Sequence, residues 1–169
     1  MLRLSPHIFE LLTQAKQGLA LSRGGIGVGW TLAMETAPSK ETLPMNKFKI
    51  MVVDDYADAA ESLAFVLLSD GHNVEIAYCG IKAIELAKVF QPRIALIDIG
   101  LPDLDGYQVA NQLRTFPETK NTILIAVTGY GQDKDRERAY AEGFDHHMLK
   151  PVDFEKLSAL IQNWGGGAI

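Results

Sequence analysis

Five short apolar runs, each closed by a polar or charged residue and parted from the next by a segment of helical period, constrain this chain more than any other feature. Lys49-Ile-Met-Val-Val53 runs into Asp54-Asp55, Ile94-Ala-Leu-Ile97 into Asp98, and Ile123-Leu-Ile-Ala-Val127 into Thr128. Val74-Glu-Ile-Ala77 comes second in order, and the fifth run, His146 to Leu149, meets Lys150-Pro151. Largely continuous apolar runs belong to strands buried on both faces, the habit of parallel sheets. Between them, Ala57 to Ser69 carries Ala60, Leu63, Ala64 and Leu67 at helical spacing and stops at Gly71. Ile81 to Phe90 turns Ala83, Ile84 and Ala87 inward, and Gly106 to Thr115 forms a third helix. Gln132 to Glu142 is a fourth, mostly charged, with Ala139 and Tyr140 as its apolar anchors. Asp153 caps a last helix through Ile161.

Strict strand–helix alternation with right-handed crossovers predicts an α/β fold, a doubly wound five-stranded parallel sheet in a flavodoxin-like (βα)5 sandwich. The 169 residues suit one such domain with an extension. A boundary falls at Thr36-Ala-Pro-Ser-Lys-Glu-Thr-Leu-Pro44, which has two prolines, polar residues and no periodicity. The organisation read from this is 1–45 as an N-terminal segment with linker, 46–164 as the domain, and 165–169 as a loose glycine-rich tail.

Charge divides along the same line. Residues 1–45 hold four Lys/Arg and three Asp/Glu; residues 46–169 hold the other 12 and 18, a net of −6. That balance gives no electrostatic reason to expect nucleic-acid binding. A single cysteine, Cys79, rules out an intramolecular disulfide and fits a reducing compartment, with an inert thiol the plainer reading. No run approaches the roughly 18 apolar residues that span a bilayer, and Met1 to Leu21, broken by Pro6, Glu10 and Lys16, is a poor secretory signal. The expected location is cytoplasmic, without a membrane partner.

In doubly wound sheets, ligands bind beyond the carboxyl ends of the strands. Here those ends carry Asp54, Asp55, Asp98, Thr128 and Lys150. With adjacent strands about 4.8 Å apart, the side chains converge. Each carboxylate pair about 5 Å apart then costs roughly 3 kcal/mol at an effective dielectric near 20. A lone Lys150 cannot neutralise three acids, so a hard divalent cation with oxygen ligands, Mg²⁺, is the natural occupant. Any one acid can instead be a helix cap, Asp54 or Asp55 before the first helix and Asp103 or Asp105 before the third. Thr128 taken alone can be an ordinary strand-end threonine.

Val52-Val-Asp-Asp55, Leu96-Ile-Asp-Ile-Gly-Leu-Pro102 leading to Asp105-Gly106, Thr128-Gly129 and Lys150-Pro151 together resemble the signature of bacterial response-regulator receiver domains over about Lys47 to Asn163. The resemblance implies that Asp98 accepts a phosphoryl group from a sensor histidine kinase or phosphotransfer protein, with Mg²⁺ or Mn²⁺ as cofactor. It implies Asp55, Asp98 and the Gly100 carbonyl as direct metal ligands, with Asp54 acting through water. Lys150 would hold phosphoryl oxygens, Thr128 would report on them, and the Lys150–Pro151 bond would be cis, as only an X–Pro bond can be cheaply. The family's switch aromatic falls here on His147, beside His146. No third ligand is spaced to make this pair a metal site, which leaves a packed or solvent-facing imidazole.

Upstream, Phe9-Glu-Leu-Leu-Thr-Gln-Ala15 and Ser22-Arg-Gly-Gly-Ile-Gly-Val-Gly29 resemble the ATP-lid and glycine box of sensor histidine kinases. Trp30 stands where a small aliphatic residue usually follows, and a plain glycine-rich linker is the alternative. At this length the segment is expected to be a remnant without nucleotide affinity of its own. The whole then resembles the receiver at the end of a hybrid histidine kinase, or a stand-alone regulator derived from one, expected to act by protein contacts since few residues follow the last helix. Two other functions compete. An aspartyl-phosphate phosphatase on a related sheet usually has a second acid two residues after the nucleophile, where this chain has Gly100. A flavodoxin-like electron carrier would need donors, not acids, at the strand ends.

Overall fold

The computed structural model describes residues 47–129 and 133–165. What the sequence leads one to expect of residues 1–46 and 166–169 lies outside the described residues. The elements run β1 (Lys49–Val53), α1 (Ala57–Ser69), β2 (Asn73–Ala77), α2 (Gly80–Phe90), β3 (Ile94–Asp98), α3 (Gly106–Thr115), β4 (Ile123–Thr128), α4 (Asp133–Ala141), β5 (His146–Leu149) and α5 (Phe154–Gly165). All strand pairs are parallel, in the order β2-β1-β3-β4-β5. Among the described residues, no helix is long and apolar enough to cross a membrane.

The pleat sends alternate residues to opposite faces. Met51, Val53, Ala95, Ile97, Leu124 and Ala126 pack with residues of α2 and α3, with Ala139 of α4 and with Phe144. Ile50, Val52, Leu96, Ile125 and Val127 pack with α1 and with Leu157 and Ile161 of α5. The inward positions expected of the first two helices, Ala60, Leu63, Ala64 and Leu67 and then Ala83, Ile84 and Ala87, are all buried. Gly71, at φ +87°, ends α1 in the left-handed conformation that glycine adopts without a Cβ penalty.

Two expectations need correction. Tyr140 does not anchor α4: it is 48% exposed, and Ala139 is the buried residue of that helix. Helix α5 does not stop at Ile161 but continues to Gly165. The added turn brings Trp164 edge-on to His146, ring centroids 4.7 Å apart, which accounts for that imidazole as a packed one.

Arg114 of α3 ties down the far end of the sheet. Its guanidinium donates to the carbonyls of Gly143, Lys120 and Thr122 and pairs with Asp145 at 2.7 Å. Asp145 in turn accepts from Leu124 N–H, fixing the entry to β5 against β4.

Gly106 opens α3 hard against the end of β3, its N–H donating to Ile99 O at 3.1 Å. A Cβ there would stand 2.5 Å from Asp98 O and 2.8 Å from Ile99 Cα, backbone atoms that cannot swing away. Gly106→Ala should therefore destabilise the domain by about 1–3 kcal/mol, the usual cost of overpacking. Urea unfolding measures this, and an unchanged midpoint would show that the loop after β3 yields freely.

Candidate functional site

The sheet register assembles the acids. Val53 pairs with Ile97, so Asp54 and Asp98 sit at matched positions at the carboxyl ends of neighbouring central strands. Both are buried, at 7% and 8% exposure, while Asp55 faces solvent. One ligand atom from each of the three lies within 4.8 Å of the others. Burial of acids at such spacing needs compensation, and Lys150 supplies part of it.

Thr128 pairs with Leu149 across β4 and β5, and Lys150 N–H donates to Thr128 O at 2.8 Å. From there the lysine reaches back over the strand ends. Its Nζ stands 2.7 Å from Asp54 Oδ2 and 2.9 Å from Asp98 Oδ2. The other oxygens are held by backbone: Asp54 Oδ1 accepts from Tyr56 N–H at 2.9 Å, and Asp98 Oδ1 from Gly100 N–H at 3.2 Å. Burial disfavours the charge on Lys150, but hydrogen bonds to Asp54 and Asp98 and their attraction outweigh it, holding the ammonium above the usual lysine range. The Lys150–Pro151 peptide bond is cis.

Asp98, Asp54, Asp55, Thr128 and Lys150, all expected from the sequence, thus meet at one end of the sheet, and Gly100 is exposed beside Asp98. The oxygen-only donor set fits a hard divalent cation. The capping alternatives divide. Asp105 does cap α3, accepting from Gln108 N–H while the Gln108 side chain returns a bond to Asp105 N–H, a full capping box. Asp54 binds the backbone just ahead of α1 and also belongs to the acid cluster.

Asp103 does neither. Its two oxygens accept from Gly80 N–H at 2.8 Å and Ile81 N–H at 2.9 Å, capping α2 from 23 residues away. The sequence offered no local signal for this, because the helix it caps precedes it in the chain. These bonds pin the loop after Asp98 to α2 and, with Leu104 N–H, push the Asp103 carboxyl far below the usual carboxylate range.

His147 lies in register with Ala126 and therefore faces the side of the sheet that carries α4. Its Nε2 is buried and has no hydrogen-bond partner.

The chain matches the response regulator receiver domain over residues 50–162, and so belongs to that family. An uncharacterised 14.6 kDa protein of Leptolyngbya boryana is 32% identical over 115 residues, covering 68% of this chain and 88% of that one. The DNA-binding dual master transcriptional regulator RpaA of Synechocystis is 30% identical over 114 residues, covering 68% of this chain but 47% of the regulator. The chain spans about half the length of the named regulators it matches. Among solved structures, the receiver domain of the Pseudomonas aeruginosa sensor histidine kinase PA1611, with a magnesium ion in its active-site cleft, superposes with a TM-score of 0.66 at 27% identity. That match covers 72% of this chain and 99% of the other.

The Asp103 cap yields a test with a defined sign. Because folding depresses its pKa, its stabilising contribution is complete above the unfolded carboxylate value of about 3.9 and is lost as pH falls from there through the folded value. Asp103→Asn should melt below wild type at about pH 6, and the gap should narrow toward about pH 2. Amide exchange at Gly80 and Ile81 should quicken in the variant. Equal melting temperatures at neutral pH would deny the cap any role.

Proposed function

We propose that this chain is a two-component phosphorelay receiver that takes a phosphoryl group onto Asp98 from a phosphohistidine of a sensor histidine kinase or phosphotransfer protein. The observation that carries this reading is the setting of Asp98: a buried carboxylate held by Lys150 Nζ and Gly100 N–H, with two more acids at its side. An Asp98 oxygen attacks phosphorus, the donor's N–P bond breaks, and the leaving imidazole takes a proton. The product is an acyl phosphate, and such transfers depend on positioning and charge compensation.

Exposed Asp55, Asp98 and the Gly100 carbonyl are the groups that would hold Mg²⁺ or Mn²⁺ directly. Asp54, already committed to Tyr56 N–H and Lys150, would act through water. The bound ion would compensate charge on the phosphoryl oxygens. Lys150 can turn from the two carboxylates to a phosphoryl oxygen without leaving the site. The Thr128 hydroxyl would then donate to another, draw the loop after β4 inward and shift α4, with His147 as the side chain that follows.

Output then passes through protein contacts and not direct nucleic-acid binding, in the cytoplasm. Two features support a protein partner at the acid end. Tyr56 and Phe154, 64% and 43% exposed, begin the helices on either side. A cavity of about 500 Å³, lined mainly by apolar groups such as Leu63, Leu96, Val127 and Phe154, opens beside Lys150.

Acetyl phosphate with Mg²⁺ should add one phosphoryl group to the wild type by intact-mass analysis, and none to Asp98→Asn. Equal labelling of the variant would sink the assignment. The metal roles separate in a Mg²⁺ titration: Asp55→Ala should weaken binding roughly tenfold or more, about 1.4 kcal/mol, beyond the loss from Asp54→Ala. Equal losses would mean that the two acids share the direct role.

A further inference from the structure

Among the described residues, one buried side-chain polar atom has no hydrogen-bond partner. His147 Nε2 is enclosed by protein and bonds to nothing. A buried unpaired polar atom costs free energy, and a buried unpaired charge costs much more. The imidazole can stay where it is only while it is neutral at that atom. It lies on β5 beside the small Ala126, one pleat from Thr128, whose strand leads on toward α4. Among its described side chains, helix α4 covers this side of the sheet through one buried residue, Ala139, so it is the element most easily lifted from the imidazole.

We infer that His147 links proton binding to the phosphorylation state of Asp98: neutral imidazole accompanies the arrangement in which Thr128 is drawn to the phosphoryl group, and protonation opposes it. The inference rests on the reading of Asp98 and Thr128 given above. Drawing Thr128 toward Asp98 withdraws bulk from the neighbourhood of Ala126 and lets the imidazole sit deeper, farther from water. The charged imidazolium favours the reverse, with the ring turned out and α4 loosened. By linkage, each event must alter the other's equilibrium by the same factor.

Burial, and not the charged surroundings, favours the neutral ring. On α4, Asp135 favours the imidazolium and Arg136 opposes it. On β4, the register neighbour Ala126 carries no charge. On β5 itself, His146 belongs to the opposite face, against Trp164, and Lys150 is engaged with Asp54 and Asp98. Burial is the largest influence, and it already holds His147 below the usual histidine range.

The experiment uses the full chain with Mg²⁺ and beryllofluoride, a stable mimic of the acyl phosphate. Ring signals of the four histidines are followed by NMR against pH, that of His147 being assigned by its absence from His147→Phe. Beryllofluoride should lower the His147 pKa further. As pH falls below about 6.5, its affinity for wild type should drop more than its affinity for His147→Phe, approaching tenfold for each unit of pKa shift once the pH lies under both values. The Phe variant cancels the titration of the carboxylates and of the mimic itself, and His147→Gln checks that loss of the proton site matters more than ring shape. If beryllofluoride binds but leaves the His147 pKa unchanged or raised, the linkage is wrong and the Asp98 reading stands. If it fails to bind wild type at any pH, the reading of Asp98 falls and this inference with it.

Discussion

Everything at the functional end of this domain depends on one ammonium group shared by two buried carboxylates. Asp54 and Asp98 close neighbouring strands, and both are almost wholly withdrawn from water. Lys150 comes from the far edge of the sheet, two strands beyond Asp98 in the order β3-β4-β5. Strands lie about 4.8 Å apart, so only a side chain as long as lysine or arginine spans that interval. Arginine would fix its donors in a rigid fork, whereas lysine's rotating ammonium can exchange one oxygen partner for another. A buried ion pair is weak evidence for stability, since desolvation offsets most of the attraction. Its meaning here is that the fold keeps two acids side by side and out of water, where packing alone would favour apolar side chains.

The fold was legible because each strand ends on a residue unlike those inside it. Val53 gives way to Asp54, Ile97 to Asp98 and Val127 to Thr128, so the apolar runs mark both the strands and the side of the sheet where chemistry is located. Once strand order follows from right-handed crossovers, the meeting of Asp54, Asp98, Thr128 and Lys150 needs no further information. Helix α1 was equally plain, its four inward positions being those of a 3.6-residue period. Helix α4 was harder: among its charged residues, Tyr140 looked like an anchor by type, yet it is exposed and its neighbour Ala139 is the one buried among the described side chains. A single aromatic in a charged helix does not say which way it faces.

What stayed hidden involves groups that act across the chain on atoms of no particular identity. Asp103 serves two backbone N–H groups of a helix that precedes it, and Arg114 serves three backbone carbonyls in two separate loops. Backbone partners leave no trace in a sequence, so an aspartate before α3 reads as a cap for α3. His147 illustrates a different limit. Its place in β5 was readable, but whether its outer nitrogen would be solvated, bonded or stranded depends on the packing of α4.

The sheet's alternation of faces also has a mechanical meaning. The two hydrophobic clusters share no side chain; Ala126 belongs to one and its neighbours Ile125 and Val127 to the other. The five strands thus act as a partition, and packing changes on one side reach the other only through the backbone they share. Effects of substitutions on opposite sides should accordingly be close to independent. Asp98 sits at the rim of that partition, at the end of a strand whose residues pack into both clusters. The domain is therefore built as two separately packed halves joined along a common wall.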